Sequence, residues 1–174
     1  ARRAGIVIAE VGAWSNPLSR DEATRKTALD LCRRRLALAD RIGARCCVNI
    51  AGSCAEKWDG PHPANLTQET FDLIVQTVRG IVDDVKPTRT CYTLETMPWA
   101  YPDSPESYVR LLRAVDRPRF AVLYEDNFNY LSKMCLLRMR QAAFTMAGMA
   151  AARGCVVIVA GSDASDHAAA YLRA

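Results

Sequence analysis

Acidic, amide and aromatic side chains recur in this sequence where apolar, strand-like runs end. In chain order they are Glu10 and Trp14, then Asn49, then Glu95 and Trp99, then Glu125 and Asp126. The carboxyl ends of parallel strands meet at one edge of a sheet, and ligands bind at that edge. Carboxylates that converge there are suited to a hard divalent cation. The pattern therefore predicts a metal or substrate site at this edge.

Glu95 is the strongest of these candidates. It lies in the apolar run 90–96, and the segment Met97-Pro98-Trp99 separates it from the next predicted helix. A carboxylate that caps a helix N-terminus stands close to the helix, so capping explains Glu95 less well than it explains Glu10. Beside a substrate carbonyl, a carboxylate can act as a base, and a cation can stabilise the enediolate that forms. We therefore predict a metal-binding or catalytic role for Glu95.

The longest predicted loop, 51–66, carries Trp58 and His62. Long loops in compact domains are often functional, so this loop is a candidate lid over the strand ends. No GxGxxG follows the first predicted strand, and neither a GxxxxGK phosphate loop nor a GxSxG elbow occurs. These absences argue against a nucleotide-binding doubly wound fold and against a hydrolase with a nucleophile elbow.

The elements that must position these residues alternate between strand and helix. The strands are continuous apolar runs, which suits a parallel sheet covered by helices. The predicted strands are 5–11, 45–50, 90–96, 119–124 and 155–160. The predicted helices are 19–42, 68–85, a third that begins at Ser104-Pro105, then 131–153 and 165–173.

Local signals mark the ends of these helices. Ser19, with Glu22 three residues later, has the pattern of a capping box. Gly43 follows the first helix as a stop signal, and Thr67 is the predicted N-cap of the second helix.

Two architectures fit this alternation of strands and helices. One is a five-stranded doubly wound sheet, which 174 residues would complete. The other is a (β/α)8 barrel, which needs about 250 residues, so this chain would form only part of one. Periodicity does not choose between them, and length favours the doubly wound sheet.

The composition of the chain limits the classes of partner that it is expected to bind. Hydrophobic residues make up 50% of the chain and the net charge is +4, but no run approaches the roughly 18 apolar residues of a membrane span. The densest basic cluster, 33–35, falls in a helical pattern whose consecutive side chains diverge, so nucleic acid is not expected as a partner. The seven cysteines have no CxxC spacing, which predicts buried, reduced thiols and a cytoplasmic location.

Five segments carry a resemblance, and they occur in order. They are IVIAEVGAWSNPL at 6–18, RCCVNIAGS at 45–53, GPHPANL at 60–66 with 71–73, LETMPW at 94–99 and RPRFAV at 117–122. Together they resemble bacterial sugar phosphate isomerase/epimerase proteins of the xylose-isomerase-like barrel superfamily. The resemblance covers residues 5–122 and leaves 123–174 as a divergent tail. It implies that 1–174 is one incomplete (β/α)8 domain holding the third to sixth barrel strands, and it overrides the length argument.

The resemblance also implies a reaction and a cofactor. Members of the superfamily hold a divalent metal, often Mn²⁺, Mg²⁺, Co²⁺ or Zn²⁺, and interconvert ketoses and their epimers by proton transfer. By resemblance, Glu95 is a metal ligand that doubles as the base. Glu125, with Asp126 beside it, takes the place of the next acidic ligand. We assign binding of a sugar substrate to Glu10, Trp14, Asn49, His62 and Trp99.

Two interpretations stay open, because nothing after Val122 matches the family's seventh-strand His or eighth-strand Glu. One is a metal-dependent sugar or sugar-phosphate isomerase or epimerase that works through an enediolate and is impaired by truncation. The other is a non-catalytic barrel remnant or an oligomerising fragment. A DNA-repair nuclease of the same superfamily would need more than the two histidines present. An open barrel would leave two edge strands unpaired, which favours a homo-oligomer.

Overall fold

The computed structural model describes residues 6–125 and 157–160. Within these ranges, five strands alternate with helices. The strands are β1 (Glu10–Gly12), β2 (Cys46–Asn49), β3 (Cys91–Leu94), β4 (Phe120–Glu125) and β5 (Val157–Ala160). The helices are α1 (Glu22–Ile42), α2 (Gln68–Val85) and α3 (Pro105–Val115), with a short 3-10 helix at Pro63–Leu66. The predicted helices 131–153 and 165–173 lie outside the described residues.

Helix α1 begins later than predicted. Its N-cap is Asp21, whose carboxylate accepts a hydrogen bond from the Thr24 backbone N–H at 2.6 Å. The predicted capping box of Ser19 and Glu22 is therefore wrong. The backbone N–H of Ser19 donates instead to the carbonyl of Asn16, within the preceding turn. Asp is as good an N-cap as Ser, and here it stands directly before the helix.

The other helix ends follow the predicted signals. Gly43 ends α1 with φ 74, in the left-handed region that favours glycine. Thr67 caps α2 by accepting from the Thr70 backbone N–H at 3.3 Å. Ser104 caps α3 in a reciprocal capping box with Ser107. Polar caps of this kind satisfy amides that the helix itself leaves without acceptors.

The five strands form one parallel sheet in the order β1-β2-β3-β4-β5. The register pairs Glu10 with Cys46, Cys46 with Cys91, and Leu94 with Val122. A doubly wound sheet reverses its strand order at a switch point, whereas a barrel adds each strand beside the one before it. The in-order sheet therefore confirms the predicted partial barrel and excludes the doubly wound alternative.

The two faces of this sheet are packed differently. One face, here called the helix-facing side, joins the helices in a continuous core. From the strands this core takes Cys47, Tyr92, Leu94, Phe120 and Val122, and from the helices it takes Leu36, Ile74, Ile81, Tyr108 and Leu111. The opposite face, here called the inner face, carries a small separate cluster of Cys46, Val48 and Leu123. In a barrel, that face lines the interior.

One carboxylate ties α1 to the amino end of β3. Asp40 Oδ1 accepts hydrogen bonds from the backbone N–H groups of Thr88 at 2.9 Å, Arg89 at 2.6 Å and Thr90 at 3.1 Å. Burial acts to raise the pKa of Asp40, but the three amide hydrogen bonds outweigh it and hold the pKa below its ordinary value. The charged form of Asp40 therefore fixes the turn that leads into β3.

The cysteines in the described ranges are free thiols, and four of the five are buried. They are Cys32, Cys46, Cys47 and Cys91, with Cys54 half-buried. Burial raises the pKa of Cys46 to about 11, so its thiol is poorly reactive at neutral pH. The prediction of buried thiols is confirmed for the four buried cysteines, Cys32, Cys46, Cys47 and Cys91. None of the described helices is long and apolar enough to cross a bilayer.

Candidate functional site

Glu95 is the first residue after β3, at the carboxyl edge of the sheet. Its backbone N–H donates to the Asn49 carbonyl at 2.8 Å, so the ladder between β2 and β3 continues to this residue. Side chains alternate along an extended chain, which places Glu95 on the inner face with Val48. The residue is half-buried. A carboxylate at this position can reach a ligand held at the barrel mouth.

Trp14 covers the inner face at the end of β1. A Cβ atom on Gly12 would lie only 2.5 Å from Trp14 Nε1, so the indole rests directly against the Gly12 backbone. Gly12 pairs with Val48, which belongs to the inner face. Trp14 is 46% exposed, and part of its ring is therefore open to a ligand at the carboxyl edge.

Glu10 does not lie at this edge. Strand β1 begins at Glu10, which pairs with Cys46 at the amino end of the sheet. The predicted strand, 5–11, was displaced toward the N-terminus because residues 6–8 are apolar. Of those residues, Ile8 lies beside the chain that leads into β2, and its carbonyl accepts from the Arg45 backbone N–H. The structure therefore places Glu10 at the amino end of the sheet, and its role in substrate binding stays a prediction.

Asn49 is fully buried on the helix-facing side, against α1. Its Oδ1 accepts from the Ser15 backbone N–H at 3.1 Å. Its Nδ2 lies 3.3 Å from both Ser15 Oγ and Cys32 Sγ. These bonds engage both ends of the amide and join the β1–α1 loop to β2. These bonds give Asn49 a structural role, and its substrate contact stays a prediction.

Trp99 and His62 lie on the two loops that follow β3 and β2. Trp99 Nε1 donates to the Asp59 carbonyl at 2.8 Å, which ties these loops together, and Trp99 is 37% exposed. His62 caps the 3-10 helix, because its Nδ1 accepts from the Ala64 backbone N–H at 3.1 Å. An accepting Nδ1 in a neutral imidazole leaves the proton on Nε2. His62 can therefore donate one further hydrogen bond.

A buried amide and hydroxyl network holds the loop after β2, and the sequence predictions missed its key residue, Asn65. Asn65 Nδ2 donates to Ser53 Oγ at 3.1 Å, and its Oδ1 accepts from the Cys54 backbone N–H at 2.9 Å. Asn16 in turn bonds both the N–H and the carbonyl of Ser53, at 2.9 and 2.8 Å. The signal was an amide within a loop rich in Gly and Pro, where a backbone without regular structure needs side-chain partners.

A shallow groove of about 400 Å³ runs between Trp58 and the start of α1. Its lining includes Ser15, Asn16, Thr24 and Thr27. All of its lining residues are uncharged, so the groove offers hydroxyls and an aromatic ring but neither acid nor base. It is distinct from the inner-face position of Glu95.

The other predicted metal ligands are only partly placed. Glu125 is the last residue of β4 and pairs with Ala160 of β5, so its backbone lies at the carboxyl edge. Asp126 lies outside the described residues. Among the side chains described within residues 6–123, no group of three or more His, Cys, Asp or Glu is arranged to hold a metal ion. The described side chains therefore do not by themselves make a metal centre.

Comparison with known proteins concerns the domain that carries this site. A family model described as a xylose isomerase-like TIM barrel matches residues 1–131. No curated protein matches the sequence.

Solved structures share the fold. D-psicose 3-epimerase from Clostridium cellulolyticum H10, with D-tagatose, aligns with a TM-score of 0.66 at 13% identity, over 92% of this chain and 66% of that chain. The apo 3-keto-D-glucoside 4-epimerase of E. coli aligns with a TM-score of 0.58 at 12% identity, over 98% and 78%. A probable 3-DHS dehydratase from Bacillus anthracis aligns with a TM-score of 0.58 at 18% identity, over 80% of this chain. The chain spans only 49% of that dehydratase.

Proposed function

The chain belongs to the xylose isomerase-like TIM barrel family, and we propose that it is a sugar or sugar-phosphate isomerase or epimerase that acts by proton transfer. Two of the similar solved structures are sugar epimerases. Because their sequence identity to this chain is low, their structural similarity supports only the fold. The family match supports the class of enzyme.

The position of Glu95 carries the proposal. It is a half-buried carboxylate on the inner face, at the carboxyl edge where barrel enzymes place their chemistry. As a base, Glu95 removes the proton from the carbon beside the substrate carbonyl, and an enediolate results. Protonation of that carbon on its opposite face, by a second acid or by solvent, gives the epimer. Delivery of the proton to the neighbouring carbon gives the isomer.

Aromatic and imidazole groups on the loops that follow β1, β2 and β3 supply the substrate contacts in this proposal. Trp14 and Trp99 are 46% and 37% exposed, and their rings offer flat apolar surfaces to the C–H face of a sugar. His62 Nε2–H donates to a sugar hydroxyl. Together these groups would orient the carbon that loses its proton toward Glu95.

A divalent metal, Mn²⁺, Mg²⁺, Co²⁺ or Zn²⁺, belongs to the same proposal. Glu95, Glu125 and Asp126 would hold it, and a bound cation would polarise the substrate carbonyl. Because the described side chains do not form a metal centre, the removal of the proton is assigned to Glu95 without help from a metal.

The test is exchange of substrate hydrogen with solvent. The purified chain is incubated in D2O with Mn²⁺ and D-fructose, D-psicose or fructose 6-phosphate, and deuterium beside the carbonyl is followed by NMR. We expect incorporation and an epimeric or isomeric product. Glu95→Gln should reduce the rate by about 100-fold or more, the usual range for loss of a general base.

Glu106→Gln is the matched control, because Glu106 is an exposed glutamate in the first turn of α3. It should leave the rate unchanged. Absence of incorporation with every sugar, with Mn²⁺, Mg²⁺ or Co²⁺ present, would sink the proposal. Equal rates for wild type and Glu95→Gln would remove Glu95 from it.

A non-catalytic barrel remnant is the second candidate function. It is favoured by the lack of a metal centre among the described side chains. The deuterium assay separates the two candidates, since a remnant binds sugar without exchanging its hydrogen.

We also propose a cytoplasmic location and self-association. Free, buried thiols in the described ranges suit a reducing compartment. Ile6 and Val7 are 61% and 65% exposed beside the edge strand β1, and such an edge can pair with a second copy. Light scattering would show a dimer, and a monomer at all concentrations would refute self-association.

A further inference from the structure

Tyr108 lies on α3, but its hydroxyl enters the sheet between β3 and β4. The residue is fully buried. The hydroxyl donates to the Leu94 carbonyl at 2.5 Å and accepts from the Leu94 backbone N–H at 3.1 Å. It also accepts from the Leu123 backbone N–H at 3.3 Å and lies 3.3 Å from the Ala121 carbonyl. One side-chain oxygen is thus close to four backbone groups of two strands.

These four backbone groups form the last step of the β3–β4 ladder. Leu94 and Val122 are the final register pair of the two strands. In a parallel ladder, a residue bonds the residues before and after its partner. For Leu94 these are Ala121 and Leu123, the same residues that the hydroxyl contacts. The ladder therefore ends on a side chain supplied by the helix layer.

The chemistry of the hydroxyl suits this position. A phenol has one donor and two acceptor sites, enough for the Leu94 carbonyl and the two N–H groups. Burial raises the pKa of Tyr108, so the donor stays protonated at all physiological pH values. The ring is held in the helix-facing core, where it stacks on Phe120 with centroids 6.4 Å apart. The oxygen is therefore a fixed spacer between the two strands.

We propose that Tyr108 is a positioning residue for Glu95. Glu95 directly follows Leu94, whose N–H and carbonyl both bond the hydroxyl. The oxygen sets the separation of β3 and β4 at this level, and with it the placement of Glu95 relative to Glu125 at the end of β4. The catalytic part of this inference rests on the proposed function, whereas the strand spacing does not.

The test compares Tyr108→Phe with Tyr92→Phe. Both tyrosines are buried, and each variant loses only an oxygen. The hydroxyl of Tyr92 bonds Cys32 Sγ at 3.5 Å, away from the end of the ladder. Amide hydrogen exchange by NMR should quicken about tenfold or more at Leu94 and Leu123 in Tyr108→Phe alone, since each N–H loses the phenol oxygen as an acceptor.

Steady-state kinetics then distinguish a misplaced Glu95 from a general loss of stability. At a temperature where both variants are folded, Tyr108→Phe should lower kcat about 10- to 100-fold with KM nearly unchanged, because a small displacement of the base slows the chemical step. Tyr92→Phe should keep the wild-type kcat. Unchanged exchange at Leu94 and Leu123 would overturn the inference, and so would faster exchange with an unchanged kcat.

An inactive wild-type chain would defeat the proposed function but would still decide the positioning role. The side-chain carboxyl ¹³C resonance of Glu95 is then compared in the two variants. A shift in Tyr108→Phe that Tyr92→Phe does not show supports the inference. Identical resonances in both variants refute it.

Discussion

The helix-facing side and the inner face of the sheet contribute differently to stability and to the candidate site. On the helix-facing side, fully buried side chains such as Leu36, Ile74 and Leu111 interlock three helices with the strands. Within the described residues, the inner face holds a small cluster around Val48, with Trp14 over it and Glu95 at its edge. Burial of apolar area stabilises the fold chiefly on the first side. The second side is left to carry polar chemistry.

The largest expected effect is on the helix-facing side. Leu111→Ala should lower the free energy of unfolding by about 3–5 kcal/mol, because it opens a cavity in a close-packed core. Leu123→Ala on the inner face is the matched change and should cost nearer 2 kcal/mol, toward the low end for such substitutions. Urea unfolding measures both. Equal losses would show that the inner face contributes as much to stability as the core.

A smaller loss is expected in the loop that follows β2. Gly52 has φ 108, and a Cβ there would collide with Asn16 Oδ1. Gly52→Ala should therefore cost about 1–3 kcal/mol of stability through backbone strain and a displaced amide. Gly80→Ala is the control, since an added Cβ meets nothing within 4 Å. In the interior of α2 it should gain about 0.5–1 kcal/mol. Thermal unfolding that ranks the two variants the other way would contradict this account.

The stability that Asp40 contributes at the amino edge of the sheet should depend on pH. Asp40→Ala should cost about 1–2 kcal/mol at neutral pH, the range for a lost cap. The pKa of Asp40 is lowered in the fold, so its contribution is complete above the ordinary value of 3.8 and disappears as pH falls through the lowered value. The difference from wild type in urea unfolding should therefore shrink below about pH 4. A difference that is independent of pH would mean that the charge is not involved.

The smallest effect on stability is expected at Glu95. Glu95→Gln keeps the shape of the side chain at a half-buried position, so the free energy of unfolding should change by less than about 0.5 kcal/mol. Urea unfolding of the variant used in the deuterium assay gives this value. A loss as large as that of Leu111→Ala would make Glu95 part of the framework.

The fold was predictable from the sequence because its signals are local. Thr67 and Ser104 cap α2 and α3 as predicted, and Gly43 ends α1. The strand order was not available from periodicity, since the same apolar runs build either sheet. It was implied only by the resemblance to a barrel family.

The site was less predictable, because it depends on which way each side chain points. Glu10 and Asn49 have suitable chemistry, but one stands at the amino end of β1 and the other faces α1. Asn65 was missed because its partners are backbone groups of its own loop. A shift of one residue along a strand exchanges its two faces, and sequence patterns locate strand ends less sharply than that.

Because the strands lie in the sheet in sequence order, most contacts in the domain join one strand or helix to the next one along the series. Each strand touches the next, and α1 packs on α2 as α2 packs on α3. Such contacts join each unit mainly to its neighbours in the series, as in repeat proteins. Folding can therefore start at any adjacent pair of units. A unit can also be gained or lost at the end of the series while the remaining units keep their neighbours.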